Sequence, residues 1–129
     1  PQRVYDDMND NSILLKMTYG EISFLFMGDA EENAEKDLLE QGYDLRSTVL
    51  KVGHHGSKTS TSQELLDAVM TQAAVISVGE DRNELPKTQA LDRLSENGEA
   101  VFRTDLMCTI VMASNGDMLH IFMEKDEEN

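Results

Sequence analysis

The sequence predicts an α/β protein, a mixed β-sheet with helices packed against it. Three observations carry that prediction. Short runs of Ile, Leu, Val, Phe and Met alternate with amphipathic stretches between residues 21 and 103, and a strand–helix–strand–helix order implies parallel strands joined by crossover helices. In the strand candidates the apolar residues stand on consecutive positions, as in Phe24-Leu25-Phe26-Met27, which suits strands buried on both faces. Chain breakers fall at the ends of the periodic stretches, at Gly42, Pro86 and Gly98.

Residues 12–18 and 21–27 read as a β-hairpin, joined at Tyr19-Gly20, where glycine tolerates positive φ. Residues 30–41 read as a helix, with Ala30, Ala34, Leu38 and Leu39 on one face, Glu31 and Glu32 at its positive N-terminal end and Gly42 as its stop. Residues 47–52 form a short β-branched strand, followed by a polar loop over 53–60. The box Thr61-x-x-Glu64 then opens a second helix bearing Leu65, Leu66, Val69 and Met70. Residues 73–78 are a further strand. Pro86 stands where a third helix begins, and Ala90, Leu91 and Leu94 form its apolar stripe. Strands over 100–103, 109–113 and 118–123 complete the chain, the last pair linked by Asn115-Gly116 as a two-residue turn.

The 129 residues suffice for one core, and no apolar run approaches the roughly 20 residues that span a bilayer. The chain reads as a soluble domain. It begins at Pro1 with neither a basic nor an apolar leader region, which predicts a processed or cut N-terminus and no targeting segment. Acidic residues number 25 against 11 Lys and Arg, a net charge of −14. Such a surface repels phosphate backbones and argues against a high-affinity nucleic-acid platform on this segment alone. The lone Cys108 forms no internal disulfide and reads as a small buried hydrophobe.

Two segments carry chemistry. Phe24-Leu-Phe-Met-Gly28-Asp29-Ala-Glu31 places a carboxylate directly after a strand, beside a glycine that permits close approach. An aspartate there suits a metal ion, though an aspartate at such a corner more often caps the following helix. Lys51-Val-Gly53-His54-His55-Gly56-Ser57 places two imidazoles between glycines at a strand end, which packing explains poorly. Imidazole is the commonest metal ligand and a proton shuttle; loop histidines that cap nearby backbone are the structural alternative. Adjacent residues rarely both face one ion, so one histidine is expected to ligate and its neighbour to contact substrate or support the ligand. His120, in the last strand, reads as structural.

Asn9-Asp-Asn-Ser12, residues 24–31 and Leu50-Lys-Val-Gly-His-His-Gly-Ser57-Lys-Thr-Ser60 match, in order and spacing, the metallo-β-lactamase-like domain of ComEC-type DNA-uptake proteins, which this chain resembles. Val75-Ile-Ser-Val-Gly79 and Val101-Phe-Arg-Thr-Asp105 extend the likeness more generically. The resemblance implies half of an αββα sandwich, with residues 1–123 as the C-terminal portion of the domain; the charge run over 124–129 reads as an acidic, disordered tail. The resemblance also implies that Asp29 bridges two divalent ions, zinc or manganese, and that the His54–His55 pair supplies a second ligand. His55 is the preferred ligand, His54 faces the scissile phosphate or leaving oxygen, and Ser57 and Lys58 hold substrate. Two such ions polarise a phosphoryl oxygen and lower the pKa of a bridging water, so the implied reaction is hydrolysis of a phosphodiester, with nucleic acid or another phosphoester as substrate.

Three departures qualify the likeness. The family's H-x-H-x-D-H cradle is absent, so the site is half built and its partner is a missing N-terminal half. Residues 80–85 lack the histidine that relatives carry near the proline, and Asp105-Leu-Met-Cys108 replaces an acidic-glycine turn. A half-sandwich exposes strand edges and an apolar face, which predicts oligomerisation. The competing function is a non-catalytic scaffold or interaction domain with a remnant site. The compartment is not fixed by the sequence; the resemblance is compatible with a membrane-associated or extracytoplasmic parent.

Overall fold

The computed structural model of the protein describes residues 4–79 and 84–125. A five-stranded sheet runs in the order β1 (Leu15–Tyr19), β2 (Ile22–Phe26), β3 (Val49–Lys51), β4 (Ala73–Ile76) and β5 (Ala100–Arg103). β1 and β2 form an antiparallel hairpin, and β2 to β5 are parallel. The crossovers carry α1 (Glu32–Glu40), α2 (Gln63–Val69) and α3 (Thr88–Glu96). The α/β class is therefore as the sequence predicts, and spatial order follows chain order because consecutive strands pair.

Pleating sends alternate residues to opposite faces. Leu25, Leu50 and Ala74 stand side by side across the sheet and, with Ile76, meet Ala34 of α1, Leu65, Leu66 and Val69 of α2 and Leu94 of α3 in one buried cluster. At roughly 1.5–3 kcal/mol for each large side chain fully buried, this layer is the main source of stability.

Phe24, Phe26, Val49, Lys51 and Val75 turn to the other face, which Leu15, Met17 and Tyr19 extend onto β1. Its cover is a separate hairpin of β6 (Ile110–Ser114) and β7 (Leu119–Met123), and a groove of about 570 Å³ separates Ile110 and Met112 from Met17, Phe24 and Val49. The hairpin touches the sheet at its tip: Glu21 N–H donates to the Gly116 carbonyl at 2.6 Å. A Cβ on Gly20, whose φ is +58°, would lie 2.3 Å from that same oxygen. Burial on both faces, predicted for the strands, holds for inner-strand positions such as Val49 and Ala73, while Phe24 and Phe26 on the groove side are only partly buried. β1 is exposed along its whole length, because it is an edge strand whose apolar residues face the open groove and not a packed layer.

Local differences from the sequence reading have local causes. The cap of α2 is Ser62, whose hydroxyl accepts from Leu65 N–H at 3.2 Å, while Thr61 is left-handed at φ 59° and stands outside the helix. The Asn115-Gly116 turn is a four-residue loop, since Ser114 pairs with Leu119 and Asn115 Oδ1 accepts from Asp117 and Met118 N–H. α3 starts at Thr88, past Pro86. Residues Thr104–Met107 form a short helix, α4, preceded by an Arg103–Asp105 ion pair at 2.7 Å. Cys108 is only half-buried. His120 faces outward on β7, beside the Phe122 ring. Glu124, assigned to a disordered tail, is hydrogen-bonded to Thr109 through backbone and side chain. Residues 80–83 and 126–129, which include one departure from the resembled family and the rest of the tail, lie outside the described residues. Among the described residues no helix is long and apolar enough to cross a membrane.

Candidate functional site

The residues singled out by the sequence gather beyond the C-terminal ends of β2, β3 and β4, the edge at which open parallel sheets bind ligands. The chain leaves β2 through Gly28, with φ +55°, where a Cβ would approach Ser12 Cβ to 3.0 Å. Asp29 N–H donates to Ser12 Oγ at 3.1 Å. The N-terminus of α1 is capped by Asp10, whose Oδ1 accepts from Glu31 N–H at 2.9 Å and Ala34 N–H at 3.2 Å. Capping by Asp29, the bland alternative, is thereby displaced. Its carboxylate stays 46% exposed, facing His55.

His54 and His55 occupy a tight turn over Gly53–Gly56 with left-handed backbones, at φ 45° and 54°. Non-glycine residues adopt this region at a cost of about 1–2 kcal/mol each, a strain typical of functional loops. Neighbours hold the turn: His54 N–H donates to the Gly28 carbonyl at 3.0 Å, Ser60 Oγ–H to the Ala30 carbonyl at 2.8 Å, and Lys87 N–H to the Gly56 carbonyl at 2.9 Å. The turn splays the two rings, whose planes meet at 63°.

His55 Nδ1 lies 2.6 Å from the Ser77 carbonyl oxygen. A carbonyl only accepts, so Nδ1 carries the hydrogen and Nε2 of the neutral ring is a bare lone pair. That Nε2 stands 3.7 Å from Asp29 Oδ1, beyond hydrogen-bond range. Two ligands of one tetrahedral ion, each about 2.0–2.1 Å from it, stand roughly 3.3 Å apart, so a small closure suits the pair to one ion. A backbone carbonyl holding the other ring nitrogen is the usual support of a ligating histidine. Ser77 is fixed in turn by its neighbour: Val78 N–H donates to Thr104 Oγ at 2.8 Å. No group of three or more His, Cys, Asp or Glu able to hold a metal occurs among the described residues. A carboxylate and an imidazole are a donor set that could hold a divalent ion, and Asp29 and His55 are the pair that could offer it here.

Ser57 and Lys58 sit just beyond. Ser57 Oγ is engaged locally with Thr59 at 3.0 Å, and Lys58 is exposed. Their loop is clamped from both sides. Arg93 of α3 donates to the carbonyls of Thr61 at 2.8 Å and Ser60 at 2.9 Å. Buried Glu35 of α1 accepts from the N–H groups of Thr61 at 2.5 Å and Ser62 at 2.9 Å. Burial pushes the Glu35 carboxyl above its ordinary pKa, against those hydrogen bonds. Behind Asp29, Lys51 lines the apolar groove and donates to the Val52 carbonyl; burial lowers its pKa, and the Asp29 charge opposes that shift. Sequence reasoning missed Asp10, Ser12, Glu35, Lys51 and Arg93. Asn9-Asp-Asn-Ser12 and the Lys51 segment were quoted as parts of the family likeness, without revealing that Asp10 and Ser12 seat the Asp29 loop or that Lys51 stands behind it.

No protein-family model matches the chain. It is 36% identical over 103 residues to ComE operon protein 3 of Bacillus subtilis, a match covering 79% of this chain and 13% of that protein. It is 37% identical over 102 residues to Competence protein ComA of Neisseria gonorrhoeae, covering 78% of this chain and 15% of that one. Recombination protein 2 of Haemophilus influenzae is 37% identical over 97 residues, or 74% and 12% of the two chains. The chain is homologous to one segment of these proteins. It spans about an eighth of the length of each curated relative.

Proposed function

We propose that the chain is the C-terminal half of a metallo-β-lactamase-type hydrolase domain within a ComEC-like competence protein, and that the complete domain cleaves phosphodiesters of nucleic acid. One observation carries the proposal: the Asp29 carboxylate and the His55 Nε2 lone pair face each other at 3.7 Å, with the other nitrogen of His55 locked to a carbonyl. Divalent zinc or manganese, when bound, would polarise the phosphoryl oxygen and acidify water. Asp29 offers two oxygens for bridging, and His55 offers one nitrogen. In this reading His54, on the same turn but held by Glu31 and not by Ser77, would meet the scissile phosphate or the leaving oxygen. Ser57 and Lys58 supply a hydroxyl and an ammonium for the substrate. The remaining ligands belong to the missing N-terminal half, for which the open apolar face of the sheet is the natural seat.

The test is to incubate the chain with zinc or manganese, remove free ion and count bound metal beside an Asp29→Ala control. At most one weak equivalent, lost in the variant, is expected, rising to about two when the preceding segment of the parent protein is joined and phosphodiester hydrolysis appears. A joined protein that binds no metal would leave the chain a scaffold with a remnant site.

A further inference from the structure

Asp29 and Glu31, two residues apart on one loop, serve different histidines. While Asp29 faces His55, Glu31 Oε1 lies 2.7 Å from His54 Nδ1. Glu31 is well held: its N–H is bonded to Asp10, Asn9 Nδ2 approaches Oε1 at 3.4 Å, and its side chain is only 18% exposed. Instead of lying along the helix N-terminus as the sequence suggests, this side chain turns back to the histidine turn. An ionised carboxylate accepts only, so it selects the Nδ1–H form of His54. Nε2, the ring nitrogen remote from Glu31, makes no hydrogen bond among the described residues.

We propose that Glu31 is the positioning residue of His54. It fixes the ring's orientation, with Nδ1 held to the carboxylate, so that Nε2 is the atom turned to the substrate, the role a carboxylate plays behind a catalytic imidazole. This rests on the hydrolase reading for its purpose, though not for its geometry. Both histidines then present Nε2 and are anchored through Nδ1, one by a backbone carbonyl and the other by a carboxylate. The two anchors differ in what mutation can remove: the Ser77 carbonyl is invariant to side-chain change, whereas Glu31 is not.

The experiment is ¹⁵N NMR of the histidine rings of the full chain at about pH 8, where imidazole is neutral, for the unsubstituted protein, Glu31→Gln and Glu31→Ala. His54 is expected as Nδ1–H in the first two, since glutamine keeps an acceptor oxygen, and as the tautomer mixture of a solvated ring in the alanine variant. His55, held by Ser77, stays Nδ1–H throughout and reports that the site is folded. Retention of Nδ1–H at His54 in a folded Glu31→Ala protein overturns the proposal. Should that variant not fold, the unsubstituted chain decides alone: Nδ1–H at His54 supports the role and Nε2–H removes it. Zinc added to the same samples separates the two readings, because an unmoved His55 Nε2 resonance counts against the metal site and leaves the Glu31 result standing.

Discussion

Two carboxylates compete for the N-terminus of α1, and the one farther away in sequence holds it. Asp10 is 3% exposed and accepts two backbone N–H bonds there, which frees Asp29. Asp10→Ala should therefore cost about 1–2 kcal/mol in urea unfolding, whereas Asp29→Asn should stay within about 0.5 kcal/mol. The reverse order would return Asp29 to a capping role. Glu35 makes a pH-dependent prediction. Its folded pKa is raised from an ordinary value of 4.5 by burial. Between those two values the native state holds a proton that the unfolded chain releases, so this contribution to stability falls as pH rises. Glu35→Gln lacks that slope. The Tm advantage of the unsubstituted protein over Glu35→Gln should be largest below about pH 4.5 and shrink as pH rises from there. A widening gap would mean that the bonds from Thr61 and Ser62 outweigh desolvation.

The loop between the histidine turn and α2 has no regular hydrogen-bond ladder, and its order comes from its neighbours. Arg93 reaches it through Nε and a terminal nitrogen, a planar fork that lysine cannot reproduce. Amide exchange of residues 57–62 should accelerate about 10–100-fold in Arg93→Ala, from losing bonds of about 1.5–3 kcal/mol to a charged donor, while β3 and β4 keep their protection. Lysine should rescue little. Unchanged exchange would show that Glu35 and the turn alone order this segment.

The sheet as a unit is asymmetric, with helices over one face and, over the other, a groove between β6–β7 and the strands. Leu15, Met17 and Tyr19 are 55%, 50% and 62% exposed on an edge strand whose outer side pairs with no strand among the described residues. The chain alone should self-associate through this face. The net charge of −14 opposes that association, and salt screens charge while leaving apolar burial intact. Sedimentation should therefore show more oligomer as salt rises, and less once the preceding segment of the parent is attached. A monodisperse monomer at all salt concentrations would remove the ground for a missing half.

The layout of the sheet and its helices was legible from residues 21 to 103, because periodicity and chain breakers are local signals. The sequence also singled out Asp29 and His54-His55 as candidates, since adjacent imidazoles between glycines have few structural uses, and the fold brings them to one sheet edge. The helix cap, the tautomers and the loop clamp were not legible. Asp10 with Ala34, Glu31 with His54, His55 with Ser77 and Arg93 with Thr61 join residues 22 to 32 positions apart. Those distances in sequence close only when the parallel register of β2, β3 and β4 brings successive loops to one edge. Composition and spacing named the groups able to do chemistry; which nitrogen of each histidine is held, and by what, followed from packing, because hydrogen-bond partners are set by position in space.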